Sequence, residues 1–265
     1  MIVIKSAEEI ELMAKACEVT ANMLDELPGI IKPGMTTKDI DHWCEQYILK
    51  HDMKPAFKGY GGFPATACVS VNEEVVHGIP SKKRVLREGD IVSVDLGTIY
   101  KDYYSDAART YPVGKISDVH ARLIETAEKA FFAGFRQCRP GNRIGDISHA
   151  VQVCVEEQGF SVIRDYTGHG VGRDLHEDPP VPNYGKAHHG PRLQPGMVLA
   201  IEPMIAVGDW DVDVLMNNWT AVMIDGSYAA HYENTVVITE DEPRILTLKG
   251  WQPDAKAERC GELDG

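Results

Sequence analysis

Apolar residues recur at helical spacing in the first fifty positions of the chain. Ser6-Ala7-Glu8-Glu9 has the pattern of a capping box, and the helix that follows should stop at Pro28-Gly29. A second amphipathic helix should begin near Thr36 or Thr37 and fade by His51. The side chains that define the two helical faces are Ile10, Met13, Cys17, Thr20 and Leu24, and then Ile40, Trp43, Cys44, Tyr47 and Ile48.

From Gly59 to Asp95 the helical spacing gives way to short β-rich runs separated by glycines. Residues 67–71 and 91–94 predict strands, and so do the apolar runs 198–201 and 234–238. An acidic residue adjoins three of these runs. Asp95 follows the second, Glu202 follows the third and Glu233 precedes the fourth, each where an apolar residue would pack.

Two blocks of the sequence recur at an offset of 107 residues. Pro33-Gly34, Asp39-Ile40 and His42 return as Pro140-Gly141, Asp146-Ile147 and His149, and Leu86, Gly89 and Asp95 correspond to Leu193, Gly196 and Glu202. The common order of helix and strand indicates a duplicated α/β unit with a site on its pseudo-symmetry axis. We therefore expect one α/β (α+β) domain over residues 1–250, with pseudo-repeats at about 1–110 and 111–250 and a tail at 251–265.

The composition is that of a globular protein, and the charge excludes one class of partner. The 265 residues include 27 Lys and Arg against 40 Asp and Glu, for a net charge of -13. That balance argues against nucleic-acid binding through phosphates and leaves carboxylates available for cations. No apolar run is long enough for a membrane span and no signal peptide begins the chain, so a cytoplasmic protein is expected. Six dispersed cysteines without a C-x-x-C spacing favour reduced thiols.

The acidic residues and one histidine predict a metal site. A hairpin turning at Tyr100-Lys101 would set Asp95 directly opposite Asp106, where two like charges need a cation between them. His169 stands among three glycines that leave its imidazole accessible. Together with Glu202 and Glu233 these residues suit two divalent ions, and the nitrogen favours transition metals over Ca²⁺ or Mg²⁺.

Two other readings of these motifs fail on the residues themselves. The glycines around His169 lack the lysine of a phosphate-binding P-loop and do not open a helix. A serine nucleophile would require a Gly-x-Ser-x-Gly segment, which the sequence does not contain.

The segments around the five predicted ligands resemble those of the methionine aminopeptidases, and the likeness covers nearly the whole chain. Glu233 follows Glu202 by only 31 positions, and in this the chain is similar to the short bacterial type I enzymes of metallopeptidase family M24. The resemblance implies the pseudo-symmetric "pita-bread" fold, in which helices cover an antiparallel sheet. The segments are Val94-Asp95-Leu96-Gly97, Ser105-Asp106-Ala107, Gly168-His169-Gly170-Val171-Gly172, Ala200-Ile201-Glu202-Pro203-Met204 and Tyr232-Glu233-Asn234-Thr235.

The same resemblance implies roles for residues outside the ligand set. His77 and His176 match the family's two non-ligand active-site histidines, and Glu202 is the candidate for moving the proton of the attacking water. A pocket for the methionine side chain would be lined by Tyr60, Phe63, Cys68, Leu175, Met204 and Trp219. The chain departs from its bacterial relatives at Phe57, Gly61, Phe63, Leu175 and Asn234, which affects the expected pocket shape and rate rather than the reaction class.

The resemblance implies an exopeptidase that removes the N-terminal methionine of nascent polypeptides, preferably before a small second residue. Two divalent ions chosen from Co, Mn, Fe, Zn or Ni would serve as cofactors, in a monomer whose contact with the ribosome stays open. Three alternatives remain. They are a proline-specific peptidase such as prolidase or aminopeptidase P, a catalytically inactive binding protein of the same fold, and a two-metal phosphatase or nuclease.

Overall fold

The computed structural model describes residues 1–250, so the predicted tail at 251–265 lies outside the described residues. The helices are α1 (Ala7–Ile30), α2 (Thr37–Lys50), α3 (Asp118–Phe135) and α4 (Ile144–Glu157), and a 3-10 turn spans Tyr60–Gly62. The strands are β1 (Lys54–Pro55), β2 (Ala67–Val71), β3 (Ile91–Leu96), β4 (Thr98–Tyr100), β5 (Tyr103–Tyr104), β6 (Ala107–Pro112), β7 (Ser161–Val162), β8 (Gly168–Gly170), β9 (Glu177–Val181), β10 (Val198–Ile201), β11 (Met204–Ala206), β12 (Val212–Val214), β13 (Ala221–Met223), β14 (Ala229–His231), β15 (Asn234–Val237) and β16 (Arg244–Ile245).

The strand pairs of the described chain are all antiparallel, which confirms the predicted sheet type. One central sheet has the order β2-β3-β6, and another has the order β16-β15-β10-β8-β9. In the described residues, no helix combines the length and the apolar run that crossing a bilayer requires.

Helix α1 starts as predicted and ends later than predicted. Ser6 and Glu9 form the capping box, but the helix continues through Pro28 to Ile30. Proline lacks an N–H, so it leaves the carbonyl four residues earlier without a helical donor. Here the Tyr111 hydroxyl donates to the Leu24 carbonyl at 2.7 Å. This tertiary hydrogen bond, which sequence spacing cannot reveal, satisfies the acceptor that Pro28 frees.

Each half of the chain has its own core beneath a pair of helices. In the first half, Met23 of α1 and Ile40 of α2 pack with Val94 of β3 in one apolar cluster. In the second half, Phe131 of α3 and Ile147 of α4 pack with residues of β10 and β15 in another. The two halves therefore bury their sheets in the same way.

The equivalent elements of the two halves begin 107 residues apart. Helices α2 and α4 start at Thr37 and Ile144, and both have 14 residues. Strands β3 and β10 start at Ile91 and Val198. The turn glycines also correspond, since Gly34 and Gly141 have φ angles of 91° and 92°. Backbone geometry thus repeats at the spacing of the sequence blocks.

Backbone hydrogen bonds join the two halves at the centre of the molecule. The Glu233 N–H donates to the Ala108 carbonyl at 2.9 Å, and the Ala108 N–H donates back to the Glu233 carbonyl at 3.4 Å. This exchange places the end of the first half's hairpin against the strand that begins with Asn234. Side chains of both halves therefore meet along this seam.

The expectation of reduced cysteines holds for four of the six. Cys17, Cys44, Cys68 and Cys138 are buried and free. Cys154 is disulfide-bonded, so the prediction is wrong at that position, because spacing along the chain does not determine which thiols meet in space. Cys260 lies outside the described residues.

Candidate metal centre

The hairpin that carries Asp95 and Asp106 has a different register from the predicted one. Asp95 faces Ala108 across β3 and β6, and the turn falls at Lys101-Asp102, where both φ angles are positive. The prediction that the two aspartates face each other directly is therefore wrong by two residues. Because a shift of two keeps side chains on the same face, the carboxyl groups still meet, now diagonally.

Asp106 and Glu233 are brought together by the seam between the two halves. Glu233 exchanges backbone hydrogen bonds with Ala108, two residues beyond Asp106. The Thr235 hydroxyl donates to the Asp106 carbonyl at 2.8 Å and accepts from the Asp106 N–H at 3.2 Å. These contacts fix the backbone on both sides of the two carboxylates, which are both buried.

Glu202 and His169 come from neighbouring strands of the second sheet. His169 pairs with Ala200 across β8 and β10, and Glu202 follows β10 directly. His169 Nδ1 lies 2.8 Å from the Gly170 carbonyl, so this nitrogen carries the proton and donates it. The lone pair of Nε2 therefore faces the acids, 3.5 Å from Asp106 Oδ2 and 3.5 Å from Glu202 Oε1.

The cluster fits metal binding better than hydrogen bonding. Ligand atoms of Asp106, His169 and Glu233 lie within 4.8 Å of one another. Asp95 Oδ1, Asp106 Oδ1 and Glu233 Oε1 are buried and have no hydrogen-bond partner. Burying such oxygens without compensation is costly, and divalent ions coordinated by oxygen and imidazole nitrogen would supply the missing partners. The donor set thus satisfies the requirements of a divalent transition-metal site.

Burial and mutual repulsion oppose ionisation of these carboxyl groups. Burial raises the pKa of Asp106 to about 8. Burial and the adjacent Asp106 charge raise the pKa of Asp95 well above its usual range. The pKa values of Glu202 and Glu233 are also raised, first by burial and then by their acidic neighbours. The cluster therefore holds protons unless cations replace them.

The histidines around the cluster are neutral near pH 7. Burial lowers the pKa of His169 to about 4, which keeps Nε2 available as a ligand. Burial also lowers the pKa values of His77 and His176 to about 4. Neutral imidazoles can donate one hydrogen bond and accept another, as groups that contact a substrate must.

A cavity of about 230 Å³ opens above the acids, and all thirteen predicted site residues line it. Its apolar wall joins buried Phe63, Cys68 and Leu175 with the partly buried rings of Tyr60 and Trp219. The Phe63 and Trp219 rings meet edge to face, 5.2 Å between centroids. An apolar wall beside a few convergent polar groups is the usual construction of a ligand pocket.

The two non-ligand histidines both line this cavity, and each has its own aromatic neighbours. His176 Nδ1 lies 3.0 Å from the Tyr60 hydroxyl, and its ring lies 4.3 Å from that of His169. His77 has a left-handed backbone, with φ 58°, and its ring packs edge to face against Tyr166 at 5.4 Å. Both rings are within the lining of the cavity.

Sequence reasoning missed several residues of this site. Buried His231 lies behind the glutamates, with Nε2 3.8 Å from Glu202 Oε2 and 3.8 Å from Glu233 Oε2. The segment Asp165-Tyr166-Thr167 and Val76 also line the cavity and were not singled out, whereas Phe57, named above as a departure that affects the pocket, is part of the lining. His231 ends β14 and reaches the glutamates through pairing of that strand with β11, so no local spacing in the sequence indicated it.

Comparison with known proteins places the chain in a family. The model of metallopeptidase family M24 matches residues 11–240. The methionine aminopeptidase of Clostridium acetobutylicum is 54% identical over 248 residues, which cover 94% of this chain and 99% of that protein. Methionine aminopeptidase 1 of Bacillus subtilis is 50% identical over 247 residues, covering 93% of this chain and 99% of that one.

Solved structures agree with the sequence relatives and separate two branches of the fold. A methionine aminopeptidase from Thermotoga maritima has a TM-score of 0.92 at 50% identity, covering 94% of this chain and all of that one. A prolidase from Pyrococcus furiosus has a TM-score of 0.73 at 26% identity, and the match covers 92% of this chain but 65% of that one. The predicted pita-bread fold is thereby confirmed. The chain belongs to metallopeptidase family M24, as one of its methionine aminopeptidases.

Proposed function

We propose that the chain removes the N-terminal methionine of nascent polypeptides with the aid of two divalent ions. Asp95, Asp106, His169, Glu202 and Glu233 would hold the ions. The observation that carries the proposal is the set of buried carboxylate oxygens without hydrogen-bond partners at the floor of an apolar cavity. Two ions of charge +2 would balance four carboxylates. Within residues 1–250, the ion-pair contacts of these carboxylates are with the imidazoles of His169 and His231, which are neutral near pH 7.

The chemistry of the reaction divides between the ions and the side chains. Bound divalent ions acidify water enough to provide a nucleophile near neutral pH. Glu202 accepts the proton of the attacking water and passes it to the leaving amine. Its position supports this role, because its carboxylate lies at the cavity surface between His169 and His231. A general base must be within hydrogen-bond reach of the proton that it removes.

The two cavity histidines would act on the peptide bond itself. His176 donates a hydrogen bond to the carbonyl oxygen as negative charge develops there, which typically contributes about 2.7 to 4 kcal/mol. His77 contacts the substrate near the scissile amide. Their shared position in the lining of the cavity, beside the acids, supports contact of both with a bound substrate.

The apolar wall supports selection of methionine. A cavity of about 230 Å³ is below the roughly 300 to 1,000 Å³ of typical drug-sized sites, and it suits a single unbranched side chain. Tyr60, Phe63, Leu175 and Trp219 would enclose that side chain. We also propose a preference for a small second side chain, which the comparison of Met-Ala-Ser with Met-Leu-Ser tests.

Peptide cleavage by protein stripped of metal and then reloaded tests the proposal. We expect release of methionine from Met-Ala-Ser, restored separately by Co, Mn, Fe, Zn or Ni, and bound metal approaching two ions per chain. N-acetylated Met-Ala-Ser and a Met-Leu-Ser peptide are the matched controls and should be cleaved at least tenfold more slowly. Activity that is fully retained after chelation would contradict the proposal.

The competing activities are distinguished in the same assay. A proline-specific peptidase would cleave Ala-Pro or Met-Pro dipeptides faster than Met-Ala-Ser. A phosphatase or nuclease would release phosphate from nitrophenyl phosphate or nick DNA, and an inactive binding protein would cleave nothing. The limited coverage of the prolidase chain, 65%, supports the methionine-specific reaction.

The organisation of the molecule extends the proposal. We propose that residues 1–250 form one catalytic domain from two pseudo-repeats, supported by the equal offsets of α2 with α4 and of β3 with β10. The protein would act in the cytoplasm as a monomer on emerging chains. Sedimentation of the metal-loaded protein checks the oligomeric state, and pelleting with ribosomes checks whether contact occurs.

A further inference from the structure

We infer that Tyr60 is a positioning residue for His176: its hydroxyl holds the imidazole with Nδ1 toward Tyr60 and with the protonated Nε2 turned to the substrate. The inference rests on the proposed function, in which His176 donates to the carbonyl oxygen. It assigns to Tyr60 a task separate from lining the methionine pocket. That task is carried by the hydroxyl, whereas pocket lining is carried by the ring.

The contact between the two side chains has the geometry of a hydrogen bond. His176 Nδ1 and Tyr60 Oη are 3.0 Å apart, and the rings are tilted by 50° with centroids 5.2 Å apart. On its other side the His176 ring meets His169, with centroids 4.3 Å apart and planes at 66°. In the described residues, the Tyr60 hydroxyl has no other hydrogen-bond partner, so this hydroxyl is committed to His176.

The chemistry of the pair determines which atom donates. A neutral imidazole carries one proton, and either nitrogen can hold it. A phenol is a stronger acid than an imidazole N–H, and the unprotonated imidazole nitrogen is a better acceptor than a phenol oxygen. The stronger arrangement therefore has Tyr60 donating to Nδ1. The proton then resides on Nε2, at the other end of the ring, where a donor to the substrate is required.

His176 needs such a partner because ring packing against His169 does not determine which of its two nitrogens faces the substrate. The residue is exposed at the mouth of the cavity, whereas Leu175 before it is buried. An exposed imidazole can rotate about its side-chain bonds and exchange the positions of its two nitrogens. A hydrogen bond from a fixed neighbour removes that freedom, as an orienting carboxylate or carbonyl does for a catalytic histidine elsewhere.

Tyr60 is itself held by a tight turn. The Tyr60 N–H donates to the Phe57 carbonyl at 2.9 Å, and the Phe63 N–H donates to the Tyr60 carbonyl at 2.9 Å. Gly59 and Gly62 have φ angles of 90° and 91°, which side chains other than glycine adopt with strain. The hydroxyl thus projects from a turn closed on both sides, and it is placed before substrate arrives.

The variant Tyr60→Phe removes the hydroxyl and keeps the ring. We expect kcat for Met-Ala-Ser to fall roughly tenfold, the effect of losing one oriented hydrogen bond, while KM changes less than twofold. Metal content should be unchanged. Tyr104→Phe is the matched control, because Tyr104 belongs to the same apolar cluster but does not line the cavity. The control should retain both kcat and KM.

Nitrogen NMR of the zinc-loaded protein gives a readout that is independent of turnover. With ¹⁵N-histidine labelling, and with His176→Ala to assign the signals, His176 should show an unprotonated, hydrogen-bonded Nδ1 and a protonated Nε2. In Tyr60→Phe the Nδ1 signal should move to that of a free acceptor. A proton found on Nδ1 in the unmodified protein would overturn the inference.

The kinetics separate failure of the inference from failure of the proposed function. If His176→Ala lowers kcat but Tyr60→Phe does not, the role of His176 stands and the positioning role of Tyr60 is wrong. If His176→Ala leaves kcat unchanged, the proposed role of His176 is wrong and the inference fails with it. A Tyr60→Phe variant that loses metal or raises KM more than tenfold with kcat unchanged would show a structural role instead.

Discussion

The floor and the wall of the cavity are built in contrasting ways. The floor consists of Asp95, Asp106, His169, Glu202 and Glu233, which are crowded and leave buried oxygens without partners. The wall consists of Phe57, Tyr60, Phe63, Leu175 and Trp219, which pack as an ordinary apolar cluster. The floor concentrates charge of one sign, and the wall contains none.

The contrast shows which part of the site depends on its ligand. The wall is stabilised by burial of its own apolar surface, so it needs nothing from outside the chain. Ionisation of the floor carboxylates without cations destabilises the folded protein. Bound cations offset that destabilisation. A floor substitution should therefore weaken metal binding without destabilising the fold. A wall substitution should destabilise the fold without weakening metal binding.

Asp106→Asn should produce the largest effect on activity. The substitution removes one charge from the floor at nearly constant volume, so metal is lost and kcat/KM falls by more than the 10–100-fold typical of an outer partner of a metal ligand. The metal-free variant should unfold at a higher temperature than the metal-free parent at pH 8, because one buried charge is gone. Metal analysis, peptide cleavage and thermal melting measure the three quantities.

The matched control is Asp102→Asn on the same hairpin. Asp102 is exposed at the turn and has a left-handed backbone that asparagine tolerates. The Asp102→Asn variant should have the metal content, the activity and the melting temperature of the parent protein. A metal-free Asp106→Asn protein that melts below its parent would show that the floor is held together by something other than cations.

The floor was more predictable from the sequence than the geometry that assembles it. A single acid beside an apolar strand is more often solvated or at a turn, but the four acids and His169 together predicted a metal site without any knowledge of contacts. The hairpin register was predicted wrongly because the turn at Lys101-Asp102 adopts positive φ at both residues without a glycine or an asparagine. Asp102, a residue type that tolerates such a backbone, was the one local signal for the place of the turn.

Long-range partners account for the remaining differences. The Tyr111 hydroxyl that allows α1 to continue past Pro28 lies 87 positions from its acceptor. His231 reaches the floor through pairing of β14 with β11, where it faces Met204. Neither contact has a local pattern, whereas the amphipathic spacing of α2 is local, and the predicted start at Thr36 or Thr37 is confirmed by its cap.

Phe63→Ala should give the opposite result to the floor variant. Phe63 is buried and packs edge to face on Trp219, so its truncation should cost about 3 kcal/mol of unfolding free energy. Metal content should be unchanged. KM for Met-Ala-Ser should rise roughly tenfold, because the methionine side chain loses part of its apolar contact. Denaturant melts, metal analysis and steady-state kinetics measure these changes.

Phe160→Ala separates the loss of stability from the loss of the pocket. Phe160 is buried to a similar extent but belongs to the core beneath α3 and α4. The Phe160→Ala variant should lower the free energy of unfolding about as much as Phe63→Ala does, and it should leave KM unchanged. An equal rise of KM in both variants would mean that the effect of Phe63 comes from global loosening rather than from contact with methionine.

The smallest expected effect is the pH dependence of the metal-free protein. The folded pKa of Asp106 is raised to about 8 from an unfolded value of 3.8, so the folded state binds more protons between these values. Stability must then fall as pH rises through that window. Between pH 6 and pH 8 the melting temperature of metal-free protein should drop, by about 2–4 °C for each kcal/mol lost. In metal-loaded protein the ions have already displaced the proton and the drop should vanish. An identical slope with and without metal would show that the floor does not exchange protons for cations.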